Sequence, residues 1–408
     1  MKKLSVRYSI QQILYWSVNC GIFSFAATFF LGKGFKASQV GTVLFLANLL
    51  SCLFQPMLAG RADKAKGHVL PKYITVLTCA SMLSFGSLAI FDPPLLLFGL
   101  LYLTGVLTFD MMMPLLNSLS VYYNARSFYI NYGLGRGLGA LAFSFASLGI
   151  GYLMQYCNNI WLLILVVTLL GAFLIVSVTY PKTDEEAAED AFGKHTSGHA
   201  DVPDEPSVSV LKFFTRYKRF SFSLIGIFSL ATFHIMIENY MIEIIKRLGG
   251  DSSNLGTALF IACITACPVM IFFDKIHEKL KTYPILIIAG FAYILKGVLF
   301  IIAKSVTAIY LIELLQCVTY NFLSPVQMYY ARESVREQDM VKGQSMITAS
   351  YTLGCAAGSM LGGQIISHFG VPVMMYVALG MAEIGTVNLL FAKKRKKRKR
   401  RLLPSDHN

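Results

Sequence analysis

Apolar runs of about twenty residues, bounded by polar or Gly/Pro clusters, recur along the whole chain. They fall near 8–31, 39–58, 72–91, 95–117, 128–155, 160–180, 220–246, 254–273, 281–303, 306–331, 342–368 and 371–392. Each is long enough to cross a bilayer. Backbone enters hydrocarbon only when its own N–H and C=O groups are paired, so each run is predicted to be a helix. Alternation of the kind that marks a barrel strand is short and weak throughout. The pattern predicts an all-α membrane protein with twelve transmembrane helices and both termini on one side. After the sixth run a polar stretch from Lys182 to Pro206, rich in Asp, Glu, Ala and Gly, cannot bury a core and reads as a flexible linker. The expected organisation is a six-helix bundle over 1–181, a linker over 182–212, a second six-helix bundle over 213–392 and a tail over 393–408.

The two sets of six carry matching marks. Asp63-Lys64 after the second run corresponds to Asp274-Lys275 after the eighth, Pro114 in the fourth to Pro325 in the tenth, and Gly151 in the fifth to Gly362 in the eleventh. All three pairs are displaced by 211 residues. A shared displacement at equivalent points indicates duplication, and the bundles are expected to be pseudo-symmetric. Repeats of this kind place a small-molecule site between them near the bilayer midplane and work by rocking one against the other.

Composition agrees with the pattern. Of 408 residues, 55% are hydrophobic and 14% charged, against roughly a quarter charged in soluble domains, and mean hydropathy is +0.58. The formal charge of +14 taken alone would also suit a nucleic-acid binder. Its distribution argues otherwise: loops on the side of the termini hold 29 Lys and Arg, and the opposite loops hold five. Basic residues stay on the cytoplasmic side of short loops. Both termini are thus expected in the cytoplasm, with the protein multi-pass in the plasma (inner) membrane. Nine consecutive bases, Lys393 to Arg401, form a tail suited to anionic lipid, and no nucleic-acid partner is expected. Lys2, Lys3 and Arg7 precede an apolar run that lacks a small-residue cleavage site, which predicts a retained first helix. The eight cysteines have no pairing rhythm and read as small buried hydrophobes.

Charges inside the spans single out the candidate chemistry, because such groups normally face a partner or a wet cavity. Arg136 in the fifth span and Asn117 in the fourth are equidistant from the turn at Arg126–Ser127, and Asp110 lies two turns before Asn117. Asp110, Asn117 and Arg136 are expected to line a substrate cavity, with Trp16 as a ring platform; a structural lock between Arg136 and Asp110 or Asn117 is the alternative. Lys296 and Glu313 mirror each other about Lys304–Ser305, which suits a salt bridge or a coupling role. Glu313, Gln316 and Tyr320 form a stripe at i, i+3 and i+7, adding Gln316 and Tyr320 to the substrate candidates. His234 and Glu238 share a face one turn apart, and a histidine beside a carboxylate suits a proton carrier. Glu383 stands alone in the twelfth span and reads as structural or snorkelling. Glycines at 133, 135, 137 and 139, and at 354, 358 and 362, favour close helix packing. No P-loop, HExxH or metal-ligand set is present, so no enzyme, cofactor or metal is expected.

Gly60-Arg-Ala-Asp63-Lys64-Ala-Lys-Gly67 resembles, with one inserted residue, the G-x-x-x-D-[RK]-x-G signature of the major facilitator superfamily. Gln55-Pro56, Pro114-Leu-Leu-Asn117 and Tyr132-Gly-Leu-Gly-Arg136-Gly-Leu-Gly139 are similar to its lactose-permease-like branch of oligosaccharide:proton symporters. The resemblance implies the major facilitator fold, a gating loop at Gly60, Asp63 and Lys64, and proton-coupled uptake of a saccharide by alternating access. It also has departures. Asn117 stands where that branch has a sugar-gripping Glu, and Gln316 and Thr319 stand where it has its coupling His and Glu. Proton-driven efflux of drugs or metabolites, and nucleoside uptake, are the alternatives; a receptor or membrane enzyme lacks a sensor domain or a nucleophile. The expected partners are a small-molecule substrate, protons and the bilayer, with the protein a monomer.

Overall fold

The structure, a computed structural model, describes residues 2–64, 69–91, 93–124, 128–181, 210–336 and 339–392. Among them are helices and no strand. In chain order the α-helices are α1 Lys2–Asn19, α2 Ala26–Gly32, α3 Ala37–Lys64, α4 Val69–Ile90, α5 Leu95–Asp110, α6 Met112–Asn124, α7 Tyr132–Tyr156 and α8 Ile160–Val178. After the linker come α9 Val210–Arg216, α10 Lys218–Asn239, α11 Met241–Arg247, α12 Ser252–Ile271, α13 Phe273–Leu280, α14 Thr282–Ile302, α15 Val306–Glu313, α16 Tyr320–Ser334 and α17 Met340–Phe391. Among the described residues, ten helical segments are long and apolar enough to cross a membrane, and eleven when α1 and α2 count as one bent span. The expected runs 342–368 and 371–392 both fall in α17, which is interrupted at Gly370 by a φ of 82°; glycine reaches that region without steric cost. Gly60, Asp63 and Lys64 belong to the end of α3, but their side chains lie outside the described residues, as do residues 182–209 of the linker expected over 182–212, whose last three residues fall in α9, and the tail expected over 393–408.

The ends of the helices are set by local chemistry. Asp251 caps α12, accepting from the N–H groups of Ser253 and Asn254, while Asn254 returns a bond to the Asp251 N–H. Asn131 and Ser305 cap α7 and α15 in the same manner. Such caps satisfy backbone donors that no earlier turn can reach.

Several spans are broken near their middles rather than at their ends. A π-helical turn at Cys20–Ser24 joins α1 to α2 with a bend of 49°, α5 gives way to α6 at Met111, α10 to α11 at Tyr240, and a 3-10 turn at Leu314–Cys317 separates α15 from α16. Broken helices release backbone groups inside the membrane, which is tolerated where polar side chains or a cavity receive them. Asp110, Glu238, Glu313, Gln316 and Tyr320 all lie at or beside these breaks.

The two halves of the chain meet along α3 against α17 and α7 against α12. The contacts lie toward the ends remote from the termini. Ser38 donates its backbone N–H to Ser367 Oγ at 2.8 Å, Tyr240 Oη donates to the Ala37 carbonyl at 3.5 Å, and Ser147 Oγ donates to the Gly256 carbonyl at 3.1 Å. Gly41 and Gly363 lie against the Ser359 and Ala37 carbonyls, and Gly256 and Gly151 lie against those of Ser147 and Ser252. The two interfaces therefore repeat one arrangement, in which small residues four apart on one helix face small residues four apart on another. Backbone can approach this closely only without a Cβ at the crossing.

Candidate functional site

In the first half of the chain α1 packs along α7. A Cβ at Gly135 would sit 2.7 Å from the Tyr8 ring, and one at Gly139 would sit 2.4 Å from Trp16 Cδ1. The glycines near the start of α7 thus form the groove that receives two aromatic rings of α1. Seating Trp16 against Gly139 puts it under the Arg136 guanidinium, 3.9 Å from the ring centroid, close enough for cation–π attraction. Trp16 Nε1 donates to Gln12 Oε1 at 3.1 Å and Gln12 Nε2 donates to Tyr8 Oη at 2.8 Å, so the platform is held from behind. Phe143 meets Trp16 edge-on at 6.5 Å.

Arg136 has no acidic partner among the described residues. Asp110 instead accepts from Gln55 Nε2 at 2.9 Å, across from α3 to the α5–α6 break, and Asn117 Oδ1 is buried without a hydrogen-bond partner. Arg136 therefore does not bond Asn117, and Tyr8 of α1 lies in reach of both Ser120 of α6 and Arg136 of α7. Tyr15 stacks on Phe109 at 4.4 Å and lies within electrostatic reach of Asp110 and Arg136.

In the second half, His234 Nε2 and Glu238 Oε2 are 2.8 Å apart on α10. The His234 ring stacks on Tyr320 at 5.0 Å and meets Tyr293 edge-on at 6.3 Å. Tyr320 lies within electrostatic reach of both Arg136 and Glu238, which come from opposite halves of the chain. Cys263 of α12 and Cys355 of α17 lie in the field of the same Glu238.

Lys296 makes its hydrogen bonds elsewhere, while its charge still reaches Glu238. Its ammonium donates to Glu313 Oε2 at 2.9 Å and to Gln316 Oε1 at 2.8 Å, with Lys296 and Glu313 only 3% and 1% exposed. The stripe of Glu313, Gln316 and Tyr320 expected from α-helical spacing is therefore split: Gln316 turns to Lys296, and Tyr320 to His234. The cause is the 3-10 turn at Leu314–Cys317 and the non-helical Thr319 after it, which change the angle between successive side chains. Glu313 Oε1 and Tyr293 Oη remain buried without partners.

Sequence reasoning marked Gln55 only through the Gln55-Pro56 resemblance, and did not single out Tyr8, Gln12 or Tyr293, nor the crossings at Gly41, Gly256 and Gly363. A signal for the crossings exists. Ala37 and Gly41 precede Ser252 and Gly256 by the same interval, and Ser147 and Gly151 precede Ser359 and Gly363 by another.

A many-helix membrane protein with polar groups gathered at helix breaks, sealed along its interfaces at one end, has the build of a secondary-active, alternating-access transporter. A family model described as the MFS_1 like family matches residues 5–377, and the chain belongs to this family of the major facilitator superfamily; its role is transport rather than catalysis. A curated protein it resembles, the uncharacterized transporter YwbF of Bacillus subtilis (strain 168), is 22% identical over 354 residues, covering 84% of this chain and 80% of that protein. Among solved structures, a mutant form of the nucleoside transporter NupG is 13% identical with a TM-score of 0.81, covering 96% of this chain and all of that one. The POT family transporter PepTSo is 13% identical with a TM-score of 0.67, covering 96% and 97%. At such identities the likeness is one of fold. The narrower resemblance to oligosaccharide:proton symporters finds no support in these relatives.

Proposed function

We propose that the protein is a proton-coupled uptake transporter for a hydroxyl-bearing solute with a flat ring, of the nucleoside class. The twelve spans act as two six-helix bundles in the plasma membrane, with both termini cytoplasmic. The observation that carries the reading is the Arg136 guanidinium lying over Trp16 without a carboxylate partner, within electrostatic reach of Tyr320, on which the ring of the Glu238-paired His234 stacks. An unpaired guanidinium offers several donors to ribose hydroxyls or a base carbonyl, and the orphaned Asn117 Oδ1 calls for a donor of the kind a base or sugar supplies. Aromatic faces add stacking, worth about 1–3 kcal/mol per base. The fold likeness to NupG favours the nucleoside over the saccharide. The proton is assigned to the His234–Glu238 pair, since Lys296 already neutralises Glu313.

Purified protein in liposomes under an inward proton gradient, offered labelled uridine, adenosine and a panel of sugars, tests this. Accumulation of nucleoside that is abolished by Arg136→Ala is expected. His234→Gln with Glu238→Gln is expected to leave solute exchange intact while removing gradient-driven accumulation. Sugar accumulation without nucleoside uptake, or nucleoside uptake indifferent to Arg136→Ala, would overturn the reading.

A further inference from the structure

On the side of the chain termini, the starts of α10 and α14 and the ends of α9, α16 and α17 enclose a cavity of about 400 Å³, within the ~300–1,000 Å³ of small-ligand pockets. Its lining includes Arg216, Lys218 and Arg219, all exposed. The Arg216 guanidinium lies 5.9 Å from the Tyr217 ring centroid, and among the described residues none of the three cations makes a hydrogen bond or an ion pair. The nearby acids are engaged by hydroxyls instead. Glu333, the one carboxylate in the lining, accepts from Thr282 Oγ1 at 2.6 Å, and Asp339 accepts from Tyr217 Oη. Three cations thus stand against one carboxylate around a single cavity, and the nine bases from Lys393 to Arg401 follow directly after its lining residue Ala392. Like charges gathered in this way repel, and an anion among them relieves the repulsion.

Next to the cations the surface turns apolar. Lys218, Phe222 and Ile225 fall on one face of α10 at i, i+4 and i+7, with Phe222 and Ile225 43% and 49% exposed. The Phe222 ring meets that of Phe391, at the end of α17 and 66% exposed, with centroids 6.1 Å apart. Phe391 immediately precedes Ala392, and Phe222 lies about one turn, or roughly 5 Å, into the span from Lys218. A cationic cavity and an outward-facing aromatic pair therefore adjoin at the level where headgroups give way to hydrocarbon.

We propose that this cavity binds an anionic phospholipid, its phosphodiester held by Arg216, Lys218 and Arg219 and its acyl chains lying along Phe222 and Phe391. Guanidinium groups match phosphate oxygens through paired N–H donors. A soluble phosphate or an acidic peptide would use the cations and leave the rings uncovered, whereas a ligand with a charged head and apolar tails answers both. The anionic lipid of the cytoplasmic leaflet supplies it.

Native mass spectrometry of the full-length protein in detergent, titrated with phosphatidylglycerol, phosphatidylcholine and sn-glycerol 3-phosphate, tests this. Wild type is compared with the triple variant Arg216→Gln, Lys218→Gln and Arg219→Gln, and with a tail variant in which the bases from Lys393 to Arg401 are replaced by Gln. Wild type and the tail variant are expected to take up a first phosphatidylglycerol at the same concentration, and phosphatidylcholine only at a concentration at least about tenfold higher. The triple variant is expected to need at least about tenfold more phosphatidylglycerol, with an unchanged melting temperature in lipid-free detergent showing that the fold is intact. Arg219→Gln alone, expected to shift uptake by about threefold or more, serves if the triple variant does not fold. Glycerol 3-phosphate at equal concentration is expected to leave the lipid bound. Phosphatidylglycerol uptake unchanged by the cavity substitutions, a loss confined to the tail variant, equal uptake of phosphatidylcholine, or displacement by glycerol 3-phosphate would each overturn the proposal.

Discussion

A methyl group added at Gly256 strikes the interface between α12 and α7. Its Cβ would sit 2.3 Å from the Ser147 carbonyl oxygen and 3.0 Å from Gly151 Cα, where ordinary contact begins near 3.4 Å. Both neighbours are backbone, which cannot rotate aside as a side-chain tip would, so the helices must part by about 1 Å to admit it. Overpacking of this kind costs about 1–3 kcal/mol. The cost falls on the conformation sealed at the end remote from the termini and is relieved when that end opens, so the population should move toward the open form by about 5- to 150-fold. Gly41→Ala, 2.5 Å from the Ser359 carbonyl in the symmetry-related interface, should act in the same direction. Gly137→Ala, whose Cβ meets nothing within 4 Å, serves as the control. Spin labels at Ser38→Cys and Ser367→Cys, in a background with the native cysteines replaced, report the separation across the seal by pulsed dipolar spectroscopy. A longer distance should dominate in Gly256→Ala and Gly41→Ala but not in Gly137→Ala. Identical distributions in all three would refute the claim that these crossings hold the end shut.

Lys296→Ala strands the Glu313 carboxylate in a dry site and should destabilise the protein by about 3–5 kcal/mol, whereas Lys296→Met with Glu313→Leu should recover most of it; thermal unfolding in detergent measures both, and equal losses would refute the pairing as the source. Arg136→Lys keeps the charge but loses the planar guanidinium fork, and a charged hydrogen bond lost to the solute is worth about 1.5–3 kcal/mol, so affinity should fall about 10- to 150-fold by titration against labelled nucleoside; unchanged affinity would remove the guanidinium from the site. The Asp251 carboxylate is held below its usual range mainly by the Ser253 side chain, joined by the Asn254 and Ser253 N–H groups. A depressed carboxylate contributes stability above its unfolded pKa and loses it as pH falls through the folded one. The start of α12 should therefore loosen under acid, faster hydrogen exchange at residues 252–256 being the readout, and Asp251→Ala should give the same loosening at neutral pH with no further acid response.

Much of the site was written in residue type and depth. Arg136, Trp16, His234, Glu238, Lys296 and Glu313 each stand out as polar or aromatic groups in apolar spans, and two of their relations follow from chain geometry: His234 and Glu238 are one helical turn apart, and Lys296 and Glu313 are equidistant from a short turn. Both pairs meet, at 2.8 and 2.9 Å. The same argument applied to Asn117 and Arg136 gives no hydrogen bond, Asn117 Oδ1 being without a partner, because equal depth does not fix which way two side chains turn. Here the rings of α1 lie in the grooves of Gly135 and Gly139. A pattern of glycines announces that something packs closely without saying which helix does so.

The sequence by itself determined the membrane class, the helical state of the spans and the polar residues worth attention. Hydrocarbon imposes those through length, backbone pairing and the cost of charge, all properties of a single segment. Only the tertiary structure decided which polar groups are partnered: that Gln316 serves Lys296, that Asp110 turns to Gln55, and that Arg136 lies unpaired on Trp16 within electrostatic reach of Tyr320. It also decided which end of the molecule is sealed and left Glu383 facing outward. Those outcomes depend on how breaks within helices rotate successive side chains and on which helices come within contact distance, and neither quantity is a property of any one span.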